Sequence, residues 1–191
     1  MQANPAHLPP AHVPRERALC FTGHRPEKLP QGEALTHLLN MLHLCIEVAV
    51  KKGYTHFYTG LADGIDYYAA EHLFRLRETD PAIVVIGVQP CTDYREFFRV
   101  RGYSMPRLEY MLANADALVM LPGSYRDYGI FGARNRYMVD HSAAILAVCC
   151  KGRSGSMQTY HYAEKQQLAR CRICLEQPRQ PVGWEVERYS F

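Results

Sequence analysis

The 191-residue chain lacks several features that would classify it at once. It has no run of about 18 consecutive apolar residues, so nothing in it reads as a bilayer span and no membrane partner is expected. Its opening, MQANPAHLPPAHVPRER, holds four prolines and no apolar block, which argues against a secretory leader. A cytoplasmic protein is therefore expected. The formal net charge is only +3, too small by itself to imply nucleic acid or an acidic membrane. There is no GxGxxG, and no Gly-Lys-Ser/Thr closes a Walker loop, which weakens ordinary dinucleotide and ATPase readings. No HExxH and no paired His/Cys spacing suggests a metal, and no cofactor is implied. Cys171-Arg-Ile-Cys174 is a lone CxxC without a second pair, better read as part of a short strand than as a zinc or redox site.

What is present suits one domain. Hydrophobic residues make up 48% of the chain and there are 13 tyrosines, enough for a sizeable core. Seven cysteines are an odd number, and several (Cys45, Cys149, Cys150) sit in apolar runs, as buried free thiols do in a reducing compartment. Apolar periodicity alternates between two kinds. Near-continuous or β-branched runs at Ala18–Phe21, Thr55–Thr59, Ala82–Val88, Ala117–Leu121, Ala143–Cys149 and Arg172–Leu175 predict strands. Helical spacing predicts helices over Glu33–Lys52, Ile65–Arg77, Pro106–Ala115, Arg134–His141 and Ser156–Ala169. Alternating buried strands and helices imply an α/β fold: a Rossmann-like, doubly wound, mainly parallel sheet with helices on both faces. Residues 17–176 form this domain. Residues 1–16 read as a flexible tail and 177–191 as a C-terminal tail, whose only tryptophan, Trp184, packs back or meets a partner. Association into a homo-oligomer stays open.

In open α/β sheets ligands sit beyond the carboxyl ends of the strands. Glycine and polar residues gather there: Thr22, Gly23, His24, Arg25 and Pro26 after the first strand; Gly60 to Asp66 after the second; Pro122 to Tyr125 after the fourth; Lys151 to Ser156 after the fifth. Gly60 permits close backbone approach, and Gly64 opens a helix whose free N–H groups suit a phosphate. Asp63 and Asp66 would oppose a bare phosphate but suit ribose hydroxyls, while a plain turn capped by Asp63 is the competing account. Gly155 and Ser156 precede a helix beside Lys151 and Arg153, a plausible anion cradle. Arg134 and Asn135 open another helix, either to reach a phosphate or ribose or to cover surface. Tyr125 and Tyr128 are candidates to stack on a base. His24 and His141 titrate near neutrality and are candidate acid–base groups or packing residues.

Three segments in this order, TGHRP (Thr22–Pro26), TGLADGIDYYAAE (Thr59–Glu71) and RNRYMVDHSAAILAV (Arg134–Val148), resemble the SLOG superfamily, in the branch that includes YpsA. The resemblance spans about Ala18 to Leu175. It implies a Rossmann-like sheet and binding of a nucleotide or derivative such as ADP-ribose, NAD or a nucleoside monophosphate, in a sensor or regulator linked to cell division or stress. Two relatives of the superfamily imply rival functions. LOG-type phosphoribohydrolases cleave the N-glycosidic bond of nucleoside monophosphates and carry a glutamate after their glycine-rich signature. At the matching place here stands Thr159, with Glu164 further along, and a carboxylate is what such a bond needs. Asp66, Glu71 and Asp140 are the alternatives. DprA binds single-stranded DNA, and GLADGID is close to its glycine-rich motif. The mild charge and Asp63 inside the motif argue against nucleic acid as a partner. A small-molecule nucleotide derivative is the expected ligand.

Overall fold

A computed structural model describes residues 13–175 and 184–187 of the chain. Six parallel strands form the sheet: β1 (Ala18–Gly23), β2 (His56–Thr59), β3 (Val84–Gln89), β4 (Ala117–Met120), β5 (Ala144–Cys150) and β6 (Ala169–Leu175). A seventh, β7 (Trp184–Glu187), pairs antiparallel with β6. Among the described residues six α-helices accompany them: α1 (Glu33–Lys51), α2 (Ile65–Arg77), α3 (Tyr94–Arg101), α4 (Met105–Asn114), α5 (Ile130–Asp140) and α6 (Gly155–Lys165). The strand order is β4-β3-β2-β1-β5-β6-β7, so the chain reverses its direction of travel between β1 and β5. That switch point opens a crevice at the carboxyl edge.

Alternation along each strand divides the core into two. Leu19 and Phe21 of β1 and Leu146 and Val148 of β5 face one layer, with residues of α1 to α4. Cys20 of β1 and Ile145 of β5 face the other, with Met138 and Val139 of α5 and Ala163 of α6. This is the period-two consequence of a strand buried on both sides. All seven residues of β5 are buried, as a central parallel strand requires.

Helix α1 follows its periodicity, burying Leu38, Leu42, Cys45, Ile46 and Ala49. At 19 residues and a mean hydropathy of 1.2 it is long and apolar enough to cross a bilayer, although no uninterrupted apolar run marks it. Its buried stripe lies in the core, as in a sheet-covering helix. Both members of the Cys171/Cys174 pair lie within β6 and are buried, in agreement with a strand. Helix α3 was not foreseen: only Tyr94, Phe97 and Phe98 are apolar anchors among its charges. Its amphipathic turns pack Phe97 and Phe98 on Tyr103, and Phe97 on Phe131.

Residues 1–12, 176–183 and 188–191 lie outside the described residues. Val13, inside the expected N-terminal tail, packs on the second core cluster, and Arg15 Nε donates to the Asp140 carbonyl at 3.1 Å. At the other end, Trp184–Glu187 lies within the expected C-terminal tail, yet its backbone pairs with Arg172–Leu175. The edge of β6 thereby gains a ladder partner.

Candidate functional site

The β1 loop is held from two sides. The His24 N–H donates to the Val148 carbonyl at 3.1 Å, extending the β1–β5 ladder by one bond. The Cys150 N–H donates to Nε2 of His24 at 2.9 Å. With Nε2 an acceptor, the ring proton of the neutral imidazole sits on Nδ1. Burial, and to a lesser degree Lys28, push the His24 pKa down to about 4. On the other side the Ile65 N–H donates to the His24 carbonyl at 3.3 Å. A Cβ on Gly64, whose φ is +101°, would stand 2.5 Å from that carbonyl oxygen, and one on Gly23 would meet Ile65 Cβ at 2.4 Å. The two glycine-bearing segments are thus in direct contact, and glycine at both positions is what lets them meet.

Beside this contact opens a cavity of about 340 Å³ at the carboxyl edge of the switch point. Nine of the twelve expected site residues line it: Thr22, Gly23, His24, Arg25, Asp66, Arg134, Asn135, Gly155 and Ser156. Arg25, Lys28, Arg101 and Arg134 supply four cationic side chains against the carboxylates of Asp66 and Glu27. Phe97, Tyr103 and Phe131 add an aromatic wall. Lys28 and Arg101 were not foreseen, and of these rings only a better amphipathic reading of α3 would have offered Phe97.

The polar lining divides into groups already engaged and groups still available. The Arg134 guanidinium donates through Nη1 to the Gly60 carbonyl and through Nε to Asn135 Oδ1 at 2.8 Å. Asn135 Nδ2 donates to Thr159 Oγ1 at 2.8 Å, and the Thr159 hydroxyl donates to the Gly155 carbonyl at 2.8 Å. This relay ties the loop after β2 to α5 and then to the first turn of α6. Asp66 is buried at the cavity floor; burial raises its pKa against the opposing pull of Arg134 and Arg25. Arg25 stacks over Tyr103 at 5.1 Å, lies beside the Tyr94 hydroxyl and Asp66, and has its Nη1 shielded from solvent. Ser154 caps α6, its hydroxyl accepting from the Met157 N–H at 3.1 Å. The N–H groups of Gly155 and Ser156, at the first two positions of α6, have no acceptor within their own helix.

Three expected residues do not line the cavity. Gly60 serves from behind: a Cβ there would collide with the Arg134 guanidinium. Gly64 is consumed by its approach to His24. Its N–H donates to Asp63 Oδ1 at 2.9 Å, so with the Ile65 N–H on the His24 carbonyl, the start of α2 is occupied rather than open to a phosphate. Asp63 does not face the cavity. Its carboxylate accepts from the Ser104 N–H at 3.0 Å and from Arg107 Nη1 at 3.0 Å, which fastens the start of α4. It is not the helix cap either, since Gly64 holds that position.

The remaining candidates fall elsewhere. The Tyr125 hydroxyl donates to Glu96 at 3.2 Å, and Tyr128 is fully exposed outside the cavity. His141 stacks on Tyr137 at 4.0 Å, also outside it. Of the three carboxylates proposed to replace the LOG-type glutamate, only Asp66 lines the cavity. No group of three or more His, Cys, Asp or Glu side chains suited to a metal occurs among the described residues.

Two solved structures share the fold. DNA processing protein A from Helicobacter pylori, studied for its unique single-stranded DNA binding mode, aligns with a TM-score of 0.54 at 18% identity, covering 85% of this chain and 68% of that one. DNA processing protein A from Streptococcus pneumoniae aligns with a TM-score of 0.55 at 18% identity, covering 81% of this chain and 49% of that one. The chain spans about half the length of the pneumococcal protein. Such likeness is one of fold. It nevertheless overturns the expectation that nucleic acid is disfavoured as a partner, because this architecture carries a single-stranded DNA-binding protein. The expectation rested partly on Asp63, whose charge is spent on Arg107 rather than turned toward the site. No curated protein matches the chain in sequence. A family model does match, over residues 19–174, and on that match the chain belongs to the YpsA family, described as the YspA SLOG family.

Proposed function

We propose that the protein binds a nucleotide or nucleotide derivative (ADP-ribose, NAD or a nucleoside monophosphate) in this cavity and acts as a sensor or regulator. One observation carries the reading: the open first turn of α6 and the Arg25 guanidinium side chain line the same cavity at the switch point. Two helix N–H groups and a guanidinium are the donors a phosphate needs. The volume falls within the usual range for small-molecule sites, about 300–1,000 Å³, and the aromatic wall of Phe97, Tyr103 and Phe131 suits a base. His24 is neutral and engaged with backbone, which favours a positioning role over acid–base chemistry. Thr159, at the place of the LOG-type glutamate, is part of the Asn135 relay, which favours binding over hydrolysis.

The test is a thermal-stability titration of the full chain with AMP, ADP-ribose and NAD. A ligand at a hundred times its Kd should add about 2.7 kcal/mol. No shift with any of the three would overturn the reading. Release of free adenine from AMP would instead identify a phosphoribohydrolase, with Asp66 as the carboxylate.

A second reading, single-stranded DNA binding, is favoured by the shared fold with DNA processing protein A and by the arginines stacked on aromatic rings at the cavity rim: Arg25 over Tyr103 and Arg101 over Phe97 at 6.0 Å. Binding of a single strand that weakens steeply with salt would support it.

A further inference from the structure

A second cavity, about 490 Å³, continues from the first along the groove between α5 and α6. Phe131, Asn135 and Gly155 line both, so the two are one continuous depression with the Asn135–Thr159 hydrogen bond at their junction. Gln158, His161, Tyr162 and Lys165 share one stripe of α6, at helical spacings of three and four, and Arg136 faces them from α5. Among the described residues no carboxylate lines this groove. Neither Arg136 nor Lys165 has an ion pair or hydrogen bond to another side chain among the described residues. Nearby acids are otherwise engaged: Asp140 accepts the Tyr162 hydroxyl at 2.8 Å, and Glu164 pairs with Arg170 at 2.6 Å and His161 at 3.4 Å.

Exposed cations usually intersperse with acids or pair at i,i+4. Here the lining holds cations and neutral polar groups, with Asp140 and Glu164 at the rim tied to Tyr162 and His161, and it leads away from the helix start proposed to hold a phosphate. From Gly155 to Lys165 it runs about 15 Å along α6. A mononucleotide phosphate at Gly155 and Ser156 leaves its far end unused.

We propose that the α5–α6 groove is a second anion subsite, in which Arg136 and Lys165 take a further phosphate of a ligand made of two linked nucleotides. The inference rests on the nucleotide reading of the first cavity. Two nucleotides joined by a phosphodiester supply the required chemistry, as a small dinucleotide or as part of a single strand.

The experiment compares AMP with a 5′-phosphorylated diadenylate by calorimetry on the full chain and on the Arg136→Ala/Lys165→Ala double variant. Both side chains are exposed, so the fold should survive, and neither lines the first cavity. Diadenylate should bind wild type about tenfold more tightly than AMP, the scale of two exposed cation–phosphate contacts. The ratio should fall toward one in the double variant while AMP affinity stays unchanged, and it should shrink as salt is raised. AMP binding with no gain for diadenylate, or a gain that survives in the double variant, overturns the second subsite and leaves the nucleotide reading intact. Failure of both ligands to bind overturns both. Displacement of bound oligothymidylate by diadenylate would identify a strand as the source of the second phosphate. Tight diadenylate binding without displacement would identify a small dinucleotide; either result supports the subsite.

Discussion

His24 Nε2 accepts the Cys150 N–H across 2.9 Å, joining residues 126 apart in sequence and closing the carboxyl edge between β1 and β5. The bond requires a neutral ring. Burial, with a smaller push from Lys28, also opposes protonation and lowers the pKa from its ordinary value of 6.5 to about 4. A group whose basic form is favoured in the fold contributes fully above its unfolded pKa, and that contribution is lost as pH falls from about 6.5 toward 4. Denaturant melts at pH 7.5, 5.5 and 4.5 should show acid sensitivity in wild type that is reduced in His24→Gln, which cannot titrate. Equal sensitivity in the two proteins would refute this role.

Gly64→Ala should destabilise the fold by about 2 kcal/mol or more, since a positive φ and a blocked Cβ position act together. The clash is with the backbone carbonyl of His24, which cannot swing aside as a side-chain tip would. Gly155→Ala meets nothing within 4 Å and should shift stability by less than about 0.5 kcal/mol. Thermal melts of the two variants check the contrast.

Asp63 and Arg25 should separate stability from binding. Asp63→Ala strands the partly buried Arg107 guanidinium and the Ser104 N–H, at a cost of about 1–3 kcal/mol. It should leave nucleotide affinity within about twofold, an interaction energy small against that of one hydrogen bond. Arg25→Ala should weaken phosphate-bearing ligands about tenfold or more, the scale of one charge-assisted contact. Paired denaturation and calorimetry would expose the opposite pattern, which would place the ligand at Asp63.

Thr159→Val keeps the side-chain shape but removes the acceptor of Asn135 Nδ2 and the donor to the Gly155 carbonyl. A loss of about 1 kcal/mol is expected from leaving the part-buried amide without this partner. Ligand affinity should also fall, because the relay sets the position of Arg134 and the first turn of α6. Unchanged affinity in a destabilised Thr159→Val would show that the relay holds the helices only.

Much of this was legible in the chain. Helix α2 runs over Ile65–Arg77 as its periodicity indicates, and α1 ends one residue from its expected limit. Strand β3 begins two residues late, at Val84, and β6 begins early, at Ala169, because its first residues gain ladder partners on β5. Helix α5 begins at Ile130 rather than Arg134, since Gly132, a poor helix former, interrupts its opening turn after Ile130 and Phe131. This places Arg134 inside the helix, where it reaches the Gly60 carbonyl instead of standing at a free terminus.

The sequence by itself determined the alternating sheet and the set of residues left at strand ends, because burial on both faces writes near-continuous apolar runs and the turns after them need glycine and polar groups. Only the tertiary structure decided which of those residues face a ligand. Asp63 and Asp66 are three positions apart and look equivalent in the chain. Asp63, just before α2, finds Ser104 and Arg107, 41 and 44 residues away, and becomes a brace. Asp66, in the first turn, is turned toward Arg134 and Arg25 and forms the cavity floor. Partners so distant in sequence leave no local pattern, so the assignment waits on the folded sheet that brings them together.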